Sequence, residues 1–498
     1  MKSDSLEKPH IRFDNSYARL PDRFYTRLNP VPVASPELIR VNHALAEMLN
    51  IDPAWLESEE GVAVAAGNII PEGADPIATV YAGHQFGGWS PQLGDGRAIL
   101  LGEVVNEQGE RFDVQLKGSG QTPYSRRGDG RAPLGPVLRE YIVSEAMAAF
   151  GLPTSRTLSA VSTGEPVFRE TTLPGAVLVR VARSHIRIGT FQFFASQSDE
   201  EALRILAEHV IERHYPQAAS DENPILSMLR SVIENQAQLI AKWQALGFIH
   251  GVMNTDNMLL SGETIDYGPC AFMDAFDPLA VYSYIDQHGR YAYGNQPSIG
   301  QWNLARLAEA LLPLLNENQK KAVELATEVL DAYPDLYARA YRKQVGRKLG
   351  MEDILPDDEQ LLDDLLNIMA EEKLDYTLTF RRLSDLAGAV ESNGYVGELI
   401  TFPERMNGWL ERWRVRLDNE ESDPSKRQQS MYSLNPVFIP RNHLVEEAIE
   451  AAVGQGDFQS FHQLADLLER PYEYDAAKKK YAMPPTPDQV VKQTFCGT

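Results

Sequence analysis

Cysteine is almost missing from this chain of 498 residues: Cys270 and Cys496 are the only two. Two thiols over such a length make no disulfide framework, so the fold must rest on an apolar core, and a reducing, cytoplasmic setting is expected. Long apolar runs are missing as well. No stretch approaches the ~18 residues that a membrane-spanning helix requires, so no membrane partner is expected. The opening segment, residues 1–15, mixes Lys, Glu and Asp. It has neither the apolar stretch of a signal peptide nor the acid-poor, Arg-rich character of a transit peptide. Positive charge is in short supply: 47 Lys and Arg stand against 70 Asp and Glu, a net charge of −23. Such a surface repels nucleic-acid phosphates, so nucleic acid is not an expected partner, and any nucleotide site must be a local basic island.

What is present is ordinary globular composition, 43% apolar and 23% charged, in a chain long enough for a large core or two lobes. No internal repeat is visible. From about 75 to 195 the chain is rich in Gly, Val, Thr and short apolar runs. Arg111–Lys117 alternates polar and apolar residues, as a half-buried strand does. Residues 157–162, 167–172 and 176–181 read as further strands, with turns at Thr163-Gly164-Glu165-Pro166 and Leu173-Pro174-Gly175. One helix is expected over 137–150, stopped by Gly151 and Pro153. From about 199 the apolar spacing turns helical: 199–214, 224–246, 302–315, 317–333, 353–372, 376–391, 404–417 and 442–453. The tail 471–498, with Lys478-Lys479-Lys480 and a proline-rich stretch, reads as extended and mobile. The expected fold class is α+β with segregated strands and helices. The expected divisions are an N-terminal extension (1–75), a strand-rich part (76–195), a part with the catalytic and metal-binding loops (196–300), a helical remainder (301–470) and the tail.

The most informative segment begins His250-Gly251-Val252 and runs through Asn254-Thr255-Asp256-Asn257, followed by Asp266-Tyr267-Gly268. A kinase catalytic loop has a histidine, an asparagine seven residues later and then an Asp-Phe-Gly triplet. His250, Asn257 and Asp266 fit that spacing. A hard divalent cation needs few protein oxygens when a nucleotide supplies the rest, so Asn257 and Asp266 are the candidate metal ligands. A short hairpin, 258–260 with 263–265 turning at Ser261-Gly262, is expected to bring them to one side of a cleft. The kinase base is replaced by Val252, which cannot accept a proton. Asp256 is the nearest carboxylate and the candidate base; its other reading is a turn former beside Asn254.

Lys117 ends the alternating strand, where a lysine can hold phosphates if a glutamate from the next helix orients it. Glu140 and Glu145 lie there, and Glu140 is preferred. Gly94-Asp95-Gly96-Arg97 could let backbone N–H groups approach phosphate, although a lone Gly-x-Gly is usually a turn. Arg126, Arg127 and Arg131, around Asp129-Gly130, form one basic island; Arg180, Arg183 and Arg187 form a second. Guanidinium groups suit phosphate, while for any single arginine a surface ion pair is the commoner fate.

The stretches Tyr81–Gly87, Gln92–Ala98, Gln115–Gly120, Arg126–Arg131, Met253–Asn257 and Asn435–His443 together resemble the selenoprotein O family, called YdiU in bacteria. The resemblance runs from about residue 10 to the end. It implies a protein-kinase-like two-lobed fold with a helical C-terminal extension. The implied activity is transfer of AMP from ATP, with UTP as an alternative, to Ser, Thr or Tyr hydroxyls of protein substrates, aided by Mg²⁺ or Mn²⁺. The implied nucleotide lies reversed relative to a kinase. By resemblance Gly94, Gly96, Arg97, Lys117, Asp129, Gly130, Arg180, Arg187 and Asp266 contact nucleotide, Asp256 accepts the proton, and Asn257 and Asp266 hold the metal. Some family members carry selenocysteine third from the C-terminus, where Cys496 stands, and can link it to a second cysteine. Cys270 is the available partner here, although the family's own second cysteine stands nearer Tyr282; two separate thiols are the alternative. A monomer is expected. The competing classes are a phosphotransferase acting on protein or a small molecule, and a non-catalytic nucleotide-binding scaffold.

Overall fold

Alternation along two strands decides what faces the site. In Thr172–Ala182, Val177, Val179 and Val181 point into one apolar cluster while Ala176 and Leu178 point into another. In Arg111–Lys117, Val114 and Leu116 join the first cluster. Because side chains alternate across a strand, Gln115, Lys117 and Arg180 are left on the opposite face, where Gln115 and Arg180 are register partners. The computed structural model describes residues 10–388 and 396–495.

Around this pair lies an antiparallel sheet in the order Tyr25–Arg27, Ile77–Thr79, Ala98–Val105, Arg111–Lys117, Thr172–Ala182, Arg156–Phe168 and Glu37–Val41. Ala132–Pro133 adds a short pairing to Thr172–Ala182. Both edge strands come from the segment before residue 75. Leu45, Leu49, Trp55 and Leu56, from the helical turns that follow the Glu37–Val41 strand, cover one face of the sheet. The helix Leu134–Ala149 covers the other, through Leu138, Ile142 and Ala146. Burial on both faces explains why Ala98–Val105 is apolar almost throughout.

The turn expected at 163–166 and the one expected at 173–175 are not turns. Both segments lie inside long paired strands, and the chain reverses at 169–171 instead. Pro166 and Pro174 face each other across the ladder, next to an irregularity in register between Pro174 and Ala176. A bulge there tolerates residues that donate no ladder hydrogen bond, so the Gly-Pro signals mark a bulge.

The second half is helical. Pro224–Leu246 starts with the Asn223 side chain capping Leu226 and stops at Gly247, whose φ is 72°, as helix stop signals dictate. Glu200–His214, Gln296–Leu315 and Gln319–Asp331 pack around it. Glu359–Glu371, Tyr376–Leu386, Met406–Asp418 and Asn442–Gln455 fall where periodicity places helices; the second stops at Leu386, short of the expected 391, and residues 389–391 lie outside the described residues. Ile188–Ser196, Tyr333–Lys348, Pro424–Tyr432 and Gln459–Leu468 are helices that the sequence reading left out. The tail also differs from expectation. Ala476–Tyr481 forms a 3₁₀ turn, and Thr494 bridges Ser283 while its buried hydroxyl donates to the Pro269 carbonyl at 2.7 Å. No helix among the described residues is long and apolar enough to cross a membrane.

Candidate active site

Lys117, Arg180 and Glu140 meet because strand alternation aims the two cations at the helix that covers the sheet. Lys117 Nζ donates to Glu140 Oε2, and Arg180 Nε donates to Glu140 Oε1 at 2.7 Å. All three side chains are buried. Burial pushes the Glu140 carboxyl up, but Arg180 and Lys117 outweigh it and hold it below the usual range. Glu145 is directed elsewhere: it pairs with Arg156 at 2.6 Å and accepts from Asn42.

Asp266 closes the cluster. Its Oδ1 accepts from Arg180 at 2.7 Å and lies 3.5 Å from Lys117 Nζ, and its Oδ2 accepts from Arg187 at 3.1 Å. Burial alone would raise this carboxyl; Arg180, Lys117 and Arg187 together hold it well below the carboxylate range. Its backbone φ of 65° is left-handed, a conformation that non-glycine residues hold only where surroundings enforce it.

The loop that carries Asp256 and Asn257 follows a two-residue strand, Phe248–Ile249, paired with Ala271–Phe272. His250 is buried and structural: its Nε2 meets the Ile265 carbonyl at 2.9 Å, and burial lowers its pKa to about 4. Val252 contributes its backbone, since its carbonyl accepts from the Asn257 amide at 3.0 Å. Asp256 is buried in the 3₁₀ turn Thr255–Asn257. Its Oδ2 accepts from Gln85 Nε2 at 3.1 Å, whereas its Oδ1 has no hydrogen-bond partner. Burial pushes its pKa up to about 6, against the pull of Arg187. The expected hairpin 258–265 is absent. The chain does turn at Ser261-Gly262, but Leu259 bridges Arg187 and Thr264 bridges Thr154. Those outside partners take the backbone groups a hairpin would have paired.

The glycine loops lie at the end of the Lys117 strand. Gly118 N donates to the Arg97 carbonyl at 2.7 Å, and Gly120 N to that of Gly130 at 3.1 Å. A Cβ on Gly94 would stand 2.5 Å from the Tyr124 ring, and one on Gly130 would stand 2.0 Å from the Gly120 carbonyl oxygen. Close backbone packing therefore already requires both glycines. Asp129 is paired with Arg169 at 2.8 Å, and Arg131 is tied to the Val31 and Pro32 carbonyls. Arg126 and Arg127 are exposed, with φ values of 48° and 74°. The second basic group divides. Arg180 and Arg187 enter the cluster, but Arg183 lies beyond the strand end, with its N–H on Glu263 and its carbonyl on Arg213. Proximity in sequence did not reveal that change of side.

The sequence reading assigned no role to the hairpin formed by Gly83–Gln85 and Gly88–Ser90. It clasps the loop from above. His84 N donates to Thr255 Oγ1 at 2.7 Å, Phe86 N to Asn254 Oδ1 at 3.0 Å, and Tyr291 Oη to the same oxygen at 2.6 Å. Gln85 and its neighbours carried no spacing signal; only the Tyr81–Gly87 family motif pointed at them.

Asn257 and Asp266, the expected metal ligands, carry hard oxygen donors. Among the described residues no group of three or more His, Cys, Asp or Glu can hold a cation alone. This donor set fits Mg²⁺ or Mn²⁺, ions that readily take remaining ligands from phosphate and water. Cys270 is buried, with its sulfur 3.3 Å from the Tyr267 carbonyl; Cys496 lies outside the described residues, and with it the choice between a linked pair and two separate thiols.

A sequence model of the family described as protein adenylyltransferase SelO matches residues 8–469. The chain belongs to this family. It is 56% identical over 489 residues to a protein nucleotidyltransferase YdiU of Bradyrhizobium diazoefficiens, covering 98% of this chain and 99% of the relative. Proteins of the same name from Rhizobium meliloti, 56% identical with 98% and 99% covered, and Methylorubrum populi, 57% identical with 98% and 99% covered, match as well. Membership in the SelO family makes this an enzyme of the nucleotidyltransferase class, one that uses a nucleotide co-substrate.

Proposed function

We propose that this protein transfers AMP from ATP, or UMP from UTP, to Ser, Thr or Tyr hydroxyls of other proteins and releases pyrophosphate, in a kinase-like two-lobed architecture. The observation that carries the reading is the contrast between neighbouring carboxyls. Asp256 is buried, pushed up to about 6 and left with one oxygen that has no hydrogen-bond partner, while Asp266 nearby gathers Lys117, Arg180 and Arg187.

In the proposed reaction an acceptor hydroxyl oxygen attacks the α-phosphorus. Its proton passes to Asp256, whose pKa of about 6 leaves it mostly ionised at neutral pH and suits a general base. The bond from the α-phosphorus to the bridging oxygen breaks, and both electrons leave with pyrophosphate. Lys117, Arg180 and Arg187 stabilise the charge that develops there, in a buried setting where such contacts are strong. Such a placement has the nucleotide reversed relative to a kinase. Glu140 holds Lys117 and Arg180 in place. Asn257 and Asp266 would hold Mg²⁺ or Mn²⁺, which when bound adds Lewis-acid stabilisation of the phosphates. Gly94, Gly96, Arg97, Asp129 and Gly130 are assigned to further contacts with the nucleotide.

Two labelled nucleotides test the reading. ATP labelled at the α-phosphorus should mark acceptor protein, and ATP labelled at the γ-phosphorus should not; a phosphotransferase would reverse this pattern, and a scaffold would give neither. Asp256→Asn should lower transfer by about 10²–10⁴-fold. Full activity in Asp266→Ala would overturn the metal assignment.

A further inference from the structure

The hairpin that clasps Asp256 carries an aromatic surface on its other side. The His84 ring lies 4.9 Å from the Trp89 ring and 5.2 Å from that of Trp302. Trp89 is 42% exposed, whereas the other five tryptophans are buried or half-buried. Two guanidinium groups stack on Trp302, Arg290 at 4.7 Å and Arg306 at 4.8 Å. Arg306 is paired with Glu309 at 2.6 Å. The buried Nε of each arginine lacks a hydrogen-bond partner, but among the described residues no carboxylate side chain pairs with the Arg290 guanidinium. Arg126 and Arg127 also lack a carboxylate, but they are exposed, whereas Arg290 is half-buried against Trp302, so its guanidinium is held rather than freely solvated. Its stacking on Trp302 fixes the guanidinium plane and leaves in-plane donors for a two-point contact with an incoming carboxylate.

Position gives this surface its use. His84 and Phe86 flank Gln85, whose amide holds Asp256, and Arg290 Cζ lies 3.6 Å from where a Cβ on Gly87 would stand. Because Gln85 of this hairpin touches the Asp256 carboxylate, the hairpin is a wall beside which an acceptor hydroxyl would be presented. We infer that Trp89 and Arg290, backed by Trp302, form the docking surface for the acceptor, and that they select protein segments with acidic residues beside the modified hydroxyl. This rests on the transferase reading above and adds a substrate preference to it.

Two fluorescein-labelled peptides test it, identical around a central serine except that one carries flanking glutamates and the other flanking lysines. Anisotropy with the full chain should show tighter binding of the glutamate peptide. Arg290→Glu should reverse that preference, and Trp89→Ala should weaken the glutamate peptide roughly tenfold. Thermal stabilisation by ATP should be the same in both variants, because neither residue belongs to the nucleotide cluster. Equal binding of the two peptides, or a preference unchanged in Arg290→Glu, overturns the inference. So does concentration-dependent dimerisation that Trp89→Ala abolishes, since the surface would then serve a second copy. The same peptides with α-labelled ATP separate the two claims. Binding that depends on Arg290 without label transfer would sink the transferase reading alone; transfer that ignores Arg290 would sink the docking surface alone.

Discussion

Asp256 and Asp266 show how much a carboxyl's surroundings decide. Both are buried, yet one is pushed up to about 6 while the other is held far down by Arg180, Lys117 and Arg187. In the transferase reading proposed above, environments that drive two carboxyls apart suit one to accept a proton and the other to remain an anion. Spacing from His250 pointed to Asp266 and Asn257, and Asp256 was singled out as the carboxylate nearest the place that Val252 occupies. Gln85 escaped notice, since its contact with Asp256 joins segments far apart in the chain. His250 itself gives a prediction. Its folded pKa, about 4, is depressed from 6.5, so protonation favours the unfolded chain. Stability is fully present above pH 6.5 and is lost as pH falls toward 4, by an upper bound of ~3 kcal/mol. Urea denaturation at pH 7 and pH 5 should show the loss, and a His250→Gln variant should have a shallower slope. An identical slope would assign the effect to another group.

At the scale of elements, the hairpin over the loop is fitted closely to the Asp256 carboxyl. A Cβ on Gly83 would stand 2.8 Å from Asp256 Oδ1 and 3.1 Å from its Cβ. Gly83→Ala should therefore displace the carboxyl, lowering kcat by up to about 10²-fold with a melting temperature close to that of the parent. A large fall in melting temperature with unchanged kcat would show that the glycine serves packing only. Strand and helix periodicity was legible where one face is buried, as in Arg111–Lys117 and Pro224–Leu246. It failed at 163–166 and 173–175, because glycine and proline mark a bulge as readily as a turn, and only the partner strand decides between them. Tyr333–Lys348 was missed because few of its side chains are buried and its apolar stripe is broken by charge.

Across the whole molecule, the order of a strand-rich half followed by a helical half was readable from the pattern alone, but the return of the C-terminal helices was not. Val445, Ala448, Phe461 and Leu464 pack against Tyr141 and Ile142 on the helix that carries Glu140. The region beyond 300, which shows no chemistry in its sequence, thus braces the ion cluster from behind. Arg441 ties this return together. It is fully buried and pairs with Asp274 at 2.6 Å and Asp375 at 2.5 Å, and it donates to the Ala482 carbonyl at 3.0 Å. Removing one partner of such a set strands the others in the interior. Arg441→Met should cost about 3–5 kcal/mol, read as a lower denaturant midpoint, while an unchanged midpoint would mean that water replaces the guanidinium.

Asp266 also changes what it means for an anion to enter the site. Lys117, Arg180 and Arg187 are not bare charges awaiting neutralisation, because a carboxylate of the protein already occupies them. Entry is then an exchange of counter-ions, one internal and one arriving, within a cluster whose net charge stays small. Weak anions such as chloride or sulfate gain little by competing for it, and its affinity for a stronger anion should vary less with salt than a count of three cations would suggest.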